Sequence, residues 1–371
     1  MKTVKLKDIS IYNRGYYGIG ASAVDYDEKK FTYLRITDIN DDGSLNKNGL
    51  MSVDDEKSDQ YLLEKNDIVF ARTGASTGRN YFYDGEINNM VYAGFLIKFS
   101  LNPELVNPKF IKYYCLSQKY KDWISSSLTG STRPNINEKQ LSEMPIELPD
   151  RFYQDKVVEI LDSIAQKIQL NNETNNNLYE EAVALYKDKF KGIGQGKKTI
   201  GNYIVPKRGK NLLTRDAING DTPVVAGGIE PSAYHNQFNT KSPVITISAS
   251  GANAGYINLW NIPVWASDCL YIDDSITKNV YFWYIVLKTR QNEIFDAQTG
   301  SAQPHIYPQH IAEMSIGELN IGAVEKYDNL VAPLFKMIGE NQKENKKLSQ
   351  LRDTLLPKLM NGEIDLANIE I

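Results

Sequence analysis

Cysteine is nearly missing from this chain. The two present, Cys115 and Cys269, lie in separate apolar segments without a C-x-x-C partner. That argues against a disulfide framework or a cysteine zinc site and for buried thiols in a reducing compartment. Histidine is as scarce: His235, His305 and His310 have no second His or Cys at metal-ligand spacing. Long apolar runs are lacking too. No segment approaches the roughly 20 residues that span a bilayer, and the opening MKTVKLKDIS has no apolar stretch of a secretory signal. The expected setting is cytoplasmic, with no membrane partner.

An excess of positive charge is also absent. The net charge of −4 argues against a free-standing nucleic-acid binder. The charge is unevenly spread, which weakens that exclusion. Residues 1–145 carry 19 basic and 19 acidic side chains and 196–318 carry ten of each, so the deficit lies in 146–195 and 319–371. A polyanionic partner would have to meet local basic loops, or bind with help from another subunit.

Signatures of catalysis are missing as well. GIGQGKKT (192–199) resembles a phosphate loop, but Lys191 stands where the first Gly belongs and Lys198 where the Ser or Thr belongs. It reads as a linker. There is no G-x-S-x-G elbow, and Asp54, Asp55 and Glu56 sit in a polar turn, as a solvated acidic loop does. The Asn/Asp-Pro-Pro-aromatic motif that positions an exocyclic amine for methyl transfer is not found. An enzyme acting alone is disfavoured.

What the chain does contain is a near-repetition. LTGSTRPNI (128–136) returns as QTGSAQPHI (298–306), with Thr129, Gly130, Ser131, Pro134 and Ile136 answered 170 residues later by Thr299, Gly300, Ser301, Pro304 and Ile306. The offset continues through Leu141, Glu143, Met144 and Ile146, matched by Ile311, Glu313, Met314 and Ile316. Upstream it drifts, as loops allow: TGASTGR (73–79) answers SGANAGY (250–256), and FIKYYCLS (110–117) answers YFWYIVLK (281–288). Two copies are too few for a solenoid. This is an internal duplication.

Each half reads as strands, then a helix, then a long helix. TYLRIT, DIVFAR, YAGFLIKFS and PVITISAS are β-branched or aromatic runs bounded by turn residues. NPKFIKYYCLSQKYKDWISS has helical spacing after an Asn-Pro start. Asn137 with Gln140 fits a capping box, and MPIELP fits a closing strand. From Asp150 to Phe190 there is neither Pro nor Gly. Positions 157, 161, 164, 168, 171, 175, 178, 182, 185 and 189 step by four and three, and the same positions recur 170 residues on. That is a coiled-coil seam on helices roughly 60 Å long.

The predicted class is therefore α+β. Two mixed, strand-rich domains are joined by two long antiparallel helices: 1–148 first domain, 149–192 first helix, 193–318 second domain, 319–371 second helix and tail. Laid antiparallel about a pseudo-two-fold axis, the helices oppose Asn171 to Asn345 and Asn175 to Asn341. Buried asparagines cost stability but fix register; the alternative is that they are exposed members of the Asn-rich NNETNNN.

Candidate reading surfaces are polar loops whose side chains bond base edges and phosphates. In the first half these are Arg14, Tyr16 and Tyr17; Arg72, Thr73, Ser76, Thr77, Arg79 and Asn80; and Thr129, Ser131, Arg133 and Asn135. In the second they are Lys207, Arg208 and Lys210; Ser248, Ser250 and Asn253; and Thr299, Ser301, Gln303 and His305. The same loops could equally be ordinary turns.

The series TGS…P.I…L..MPI.LPD…Q.KVVEILD (129–162), followed by a long helix and repeated, resembles the DNA-specificity subunit of type I restriction-modification systems. The resemblance covers essentially the whole chain. The second copy departs from it, with Leu319 for the Pro of LPD and Val324 for Gln154. The resemblance implies two target-recognition domains, each reading one half of a split, asymmetric site on double-stranded DNA. It implies helices that set the gap and dock two modification (methyltransferase) subunits, and motor-nuclease restriction subunits that join the complex. No cofactor is then expected on this chain; S-adenosylmethionine, ATP and Mg²⁺ belong to the partners. The competing readings are a coiled-coil adaptor that spaces two proteins without touching DNA, and a specificity module for a different modification enzyme.

Overall fold

The β-branched and aromatic runs form strands because their alternate side chains fill a pleated, half-buried surface. In the computed structural model, which describes residues 1–128, 134–300 and 303–366, they build the same sheets twice. The first unit has a four-stranded antiparallel sheet in the order Tyr16–Tyr17, Leu96–Ser100, Asp67–Ala71, Asn80–Tyr83. The second repeats it with Lys207–Arg208, Cys269–Ile272, Val244–Ser248 and Ile257–Trp260. A smaller mixed sheet accompanies each. It has four strands in the first unit (Ala23–Val24, Met51–Val53, Phe31–Leu34, Met90–Tyr92) and three in the second (Ala233–His235, Thr222–Val225, Trp265–Ala266). A closing strand, Pro145–Leu148, pairs with Lys2–Lys5, as Ser315–Ile316 pairs with Lys198–Thr199.

The long helices are Arg151–Lys189 and Ile321–Met360. Absence of Pro and Gly marks only the first, because the second runs through Pro333, Gly339 and Pro357. The compact units do not end where the helices begin. One comprises Met1–Gln166 with Leu348–Ile371, the other Lys167–Lys347. Each helix buries apolar side chains in the core of a unit: Val157 and Leu161 join Leu359 and Met360 in the first, and Ala182, Tyr186 and Phe190 join Tyr327, Val331 and Phe335 in the second.

In the second unit the helices run antiparallel. Asn171 donates from Nδ2 to Asn345 Oδ1 at 2.8 Å, and Asn341 donates likewise to Asn175 at 2.8 Å. Asn171 is 3% exposed. Glu344 accepts from Asn171 and pairs with Lys167, and both contacts hold its carboxyl below the usual range. Lys189, which four-three spacing puts on the seam, is exposed and Phe190 is buried instead. A straight helix drifts off a 3.5-residue repeat, and here the domain core takes up the turned face.

The expected helix after the strands is two helices, Pro108–Tyr114 and Gln118–Ser127. Ser117 caps the second, its side chain accepting from Tyr120 N, and Asn80 Nδ2 satisfies the Cys115 carbonyl at 3.2 Å. In both units the long helix caps the helix that follows the strands. Gln154 Oε1 accepts from Asn107 N, whereas in the second unit, with Val324 at the matching position, Asp328 Oδ1 accepts from Phe282 N.

Burial pushes the Asp328 carboxyl up to about 6, against the pull of the two backbone N–H groups of Phe282 and Tyr281. The folded chain therefore holds a proton that an unfolded aspartate has already lost. Its contribution is fully present below the unfolded pKa and fades as pH rises through 6. Thermal melts of wild type and Asp328→Asn are expected to diverge over this window. The wild type should lose stability relative to the variant from pH 4 to 6, and parallel curves would count against a protonated Asp328.

Candidate nucleic-acid interface

In the first unit three segments meet at the end of the large sheet. Strand Tyr16–Tyr17 lies on the sheet edge, with Tyr17 opposite Ile97. Gly18 follows it, and a Cβ there would lie 2.2 Å from Tyr92 O, so only glycine lets the strand cross so closely. Segment 134–138 is stitched to its neighbours. Gly74 N donates to Pro134 O at 3.0 Å, Ile136 N to Arg72 O at 2.9 Å, and Thr77 Oγ1 to Gly74 O and Pro134 O. Glu138 accepts from Gly15 N and Ser142 Oγ, while its own N–H donates to Tyr17 Oη.

The surface so assembled is aromatic and cationic. The Arg72 guanidinium lies 4.9 Å over the Tyr17 ring and that of Arg14 lies 5.0 Å over Tyr16. Tyr12 packs edge-on against Tyr16. Phe95, 58% exposed, receives Arg72 N on its carbonyl. Stacked arginines and open rings of this kind offer contacts for base edges and base faces.

The second unit builds the same junction with other side chains. Strand Lys207–Arg208 takes the edge, Arg208 opposite Leu270, and a Cβ on Gly209 would lie 2.3 Å from Ser267 O. Gly251 N donates to Pro304 O and Ile306 N to Ala249 O, both at 3.0 Å. Ser250 bridges to His305, and His305 exchanges backbone hydrogen bonds with Thr299. Arg208 Nη2 donates to Asp268 Oδ1 at 2.9 Å, and Ser250 Oγ donates to the other oxygen of Asp268. Lys207 Nζ donates to Ser275 Oγ at 3.1 Å. The side chains of Lys210, Thr299 and Gln303 are exposed and Asn253 is half-buried.

The structure thus gathers Arg14, Tyr16, Tyr17, Arg72, Thr73, Thr77 and Asn135 in one place, and Lys207, Arg208, Ser250, Thr299 and His305 in another. Others are taken up by the fold. Asn80 is buried as the partner of Cys115, so it is not a surface reader. Ser248 is buried too, its hydroxyl donating to Gly228 O. Arg79 is drawn to Asp41 and the Ile39 carbonyl, and Ser76 is half-buried beside it. Thr129, Ser131, Arg133 and Ser301 lie outside the described residues.

Tyr12, Phe95, Glu138 and Asp268 carry no signal that would single them out in the sequence. Phe95 sits within YAGFLIKFS, which reads as one continuous strand, and Asp268 belongs to no motif at all. Among the described residues no three His, Cys, Asp or Glu side chains converge as metal ligands, and no helix is long and apolar enough to cross a membrane.

Residues 1–180 match the model of the type I restriction modification DNA specificity domain. The chain is 25% identical over 297 residues to the type I restriction enzyme MjaIX specificity subunit of Methanocaldococcus jannaschii, covering 69% of each. It is 29% identical over 166 residues to the HindI specificity subunit of Haemophilus influenzae, covering 43% of this chain and 36% of that one. The crystal structure of a type I restriction-modification S subunit from M. genitalium superposes with a TM-score of 0.60 at 19% identity, over 96% of this chain and 95% of that one. That last likeness is one of fold.

Proposed function

From the match of residues 1–180 to the type I restriction modification DNA specificity domain and the likeness to curated specificity subunits, we propose that the chain is a member of that family and that each of its two units reads one half of a bipartite, asymmetric site on double-stranded DNA. One observation carries the reading. The same junction of edge strand, glycine crossing and stitched loop is built twice, and both times its exposed face holds an arginine. A spacer between two proteins has no use for a duplicated, differently decorated surface of this kind.

In this reading the chain performs no chemistry. Two modification subunits, carrying S-adenosylmethionine, bind it and methylate adenine, and restriction subunits add ATP- and Mg²⁺-dependent translocation and cleavage. The acidic balance fits a subunit whose partners supply part of the phosphate neutralisation. Genome-wide mapping of methylated adenine, in cells carrying this chain with its modification subunit, is expected to return one bipartite motif. Exchanging residues 193–318 should alter only one half of it. Methylation that stays on the same motif after that exchange would refute the reading.

The helix pair is proposed to set the unread gap. Inserting four residues into each helix on a seam-preserving pattern adds about 6 Å. The gap is expected to lengthen by one or two base pairs, at roughly 3.4 Å each, while both half-sites persist. An unchanged gap on the same map would rule the helices out as spacer.

A further inference from the structure

Equivalent backbone contacts align the two junctions residue by residue. Arg72 N donates to Phe95 O while Ile136 N donates to Arg72 O; Ala249 N donates to Asp268 O while Ile306 N donates to Ala249 O. Tyr17 faces Ile97 and precedes Gly18; Arg208 faces Leu270 and precedes Gly209. Ala249 therefore stands where the first unit has Arg72, Arg208 where it has Tyr17, and Asp268 where it has Phe95.

The two junctions differ by an exchange. Besides Arg14, which lies over Tyr16 in the first, each holds a guanidinium at the sheet edge, but they reach it from different strands. In the first unit it comes from the end of Asp67–Ala71 and rests on the tyrosine of the edge strand. In the second the edge strand supplies the arginine, and the position beneath is only alanine. A role in packing alone gives no reason for the group to persist while its attachment moves. Resting on the functional reading above, we propose that Arg72 and Arg208 are the guanine-reading side chains of the two domains.

The way each is held suits that task. Guanine presents O6 and N7 as a pair of acceptors, and Arg meets them with two coplanar N–H groups. Contact with the Tyr17 ring restrains the half-buried Arg72 through its face, a mode of holding that engages none of its N–H donors in hydrogen bonds. Arg72 makes no ion pair among the described residues, and its buried Nε finds no hydrogen-bond partner there. This is a cation placed without a counter-charge. Arg208 is anchored through Nη2 to Asp268, itself gripped by Ser250. Fixing a long side chain beforehand removes ordering cost from the binding step.

A phosphate contact is the competing role, and the surroundings disfavour it. The Asp268 carboxylate would repel a phosphate at Arg208, yet it is suited to accept from a cytosine N4 amine beside the guanine. Arg72 rests on the neutral ring of Tyr17 and Arg14 on that of Tyr16, an aromatic backing that holds a planar guanidinium for a planar partner.

The test uses the assembled complex of this chain with its modification subunit, with wild type, R72A, R72K, R208A and D268N. Each is checked by thermal melting, then selected against a randomised duplex library at two salt concentrations. Wild type should select a bipartite motif with a guanine, on either strand, in each half. R72A should lose roughly 10- to 100-fold preference at one base pair of one half, and R208A at one base pair of the other. R72K should not restore the preference, because an ammonium cannot bond both acceptors. D268N should weaken the Arg208-dependent position partially. Uniform weakening across all sequences, with a shallower salt dependence, would assign phosphate contacts and overturn the proposal. So would an unchanged motif in R72A or R208A. A wild-type complex that selects no bipartite motif would instead remove the functional reading, and this inference with it.

Discussion

Gly209→Ala is expected to silence the second domain while leaving the first at work. The added Cβ would lie 2.3 Å from Ser267 O and 2.5 Å from Ala266 O. Both are backbone atoms, so no side chain can rotate away. The crossing is also pinned on both sides, by Gly209 N to Cys269 O at 2.8 Å and Lys210 N to Ala266 O at 2.9 Å. The strand must lift off the sheet edge and take Lys207 and Arg208 with it. Overpacking of this kind costs about 1–3 kcal/mol, which corresponds to a roughly 5- to 150-fold loss of binding at one half-site. The large core lies mainly elsewhere, among the helices and the far side of the sheet, so the melting temperature should fall by only a few degrees. Gly18→Ala, 2.2 Å from Tyr92 O and 2.3 Å from Ala93 O, should do the same to the other half-site. Methylation mapping of both variants checks the pair. Equal loss at both halves from either substitution would show that the two readers do not act separately.

The largest loss of stability is expected from Tyr327→Ala. The side chain is completely buried, with the rings of Phe190, Tyr186 and Phe282 at 5.6, 6.2 and 6.1 Å. Its hydroxyl donates to Ala182 O at 2.8 Å, tying the second long helix to the first. Removing a buried aromatic of this size costs about 3–5 kcal/mol. Tyr327→Phe keeps the ring and removes only the hydrogen bond, for about 1 kcal/mol. Urea denaturation should separate the two variants clearly. Similar midpoints would mean that the hydroxyl, rather than the aromatic cluster, joins the helices.

Periodic and repeated features were the legible part of this chain. The recurring phrase includes Pro134 and Pro304, whose carbonyls accept from Gly74 N and Gly251 N, and a loop fastened by the same backbone contacts tolerates few changes. The four-three spacing located the helices and opposed the asparagines that the structure hydrogen-bonds. It failed at Lys189, where the helix stops facing its mate and faces a domain core. Local signals also hid the break at Cys115–Ser117, since the partner that makes it favourable, Asn80, is 35 residues away. The site was legible in residue type and not in grouping. Arg72 and Arg79 look alike in ARTGASTGRN, yet one stacks on a tyrosine and the other is held by Asp41. The Arg72-to-Arg208 exchange was hidden because insertions shift the offset between these strands, so a fixed spacing compares the wrong residues.

The polar layer between the helices bears on how many chains make one particle. Because the helices are copies, each could in principle pair with its counterpart from a second molecule, with the same apolar spacing and the same asparagines. The contacts of Glu344 distinguish the outcomes. The residue matching Glu344 in the first helix is Thr174, and the one matching Lys167 in the second is Met337. A first helix paired with another first helix would set Lys167 against a threonine, and two second helices would bring Glu344 near a methionine. Only the pairing of unlike helices joins Lys167 and Asn171 to Glu344. An exposed ion pair contributes only about 0.2–1 kcal/mol, but that contribution is lost in every like-with-like exchange. The chain is thereby biased against pairing a helix with its own counterpart from a neighbour.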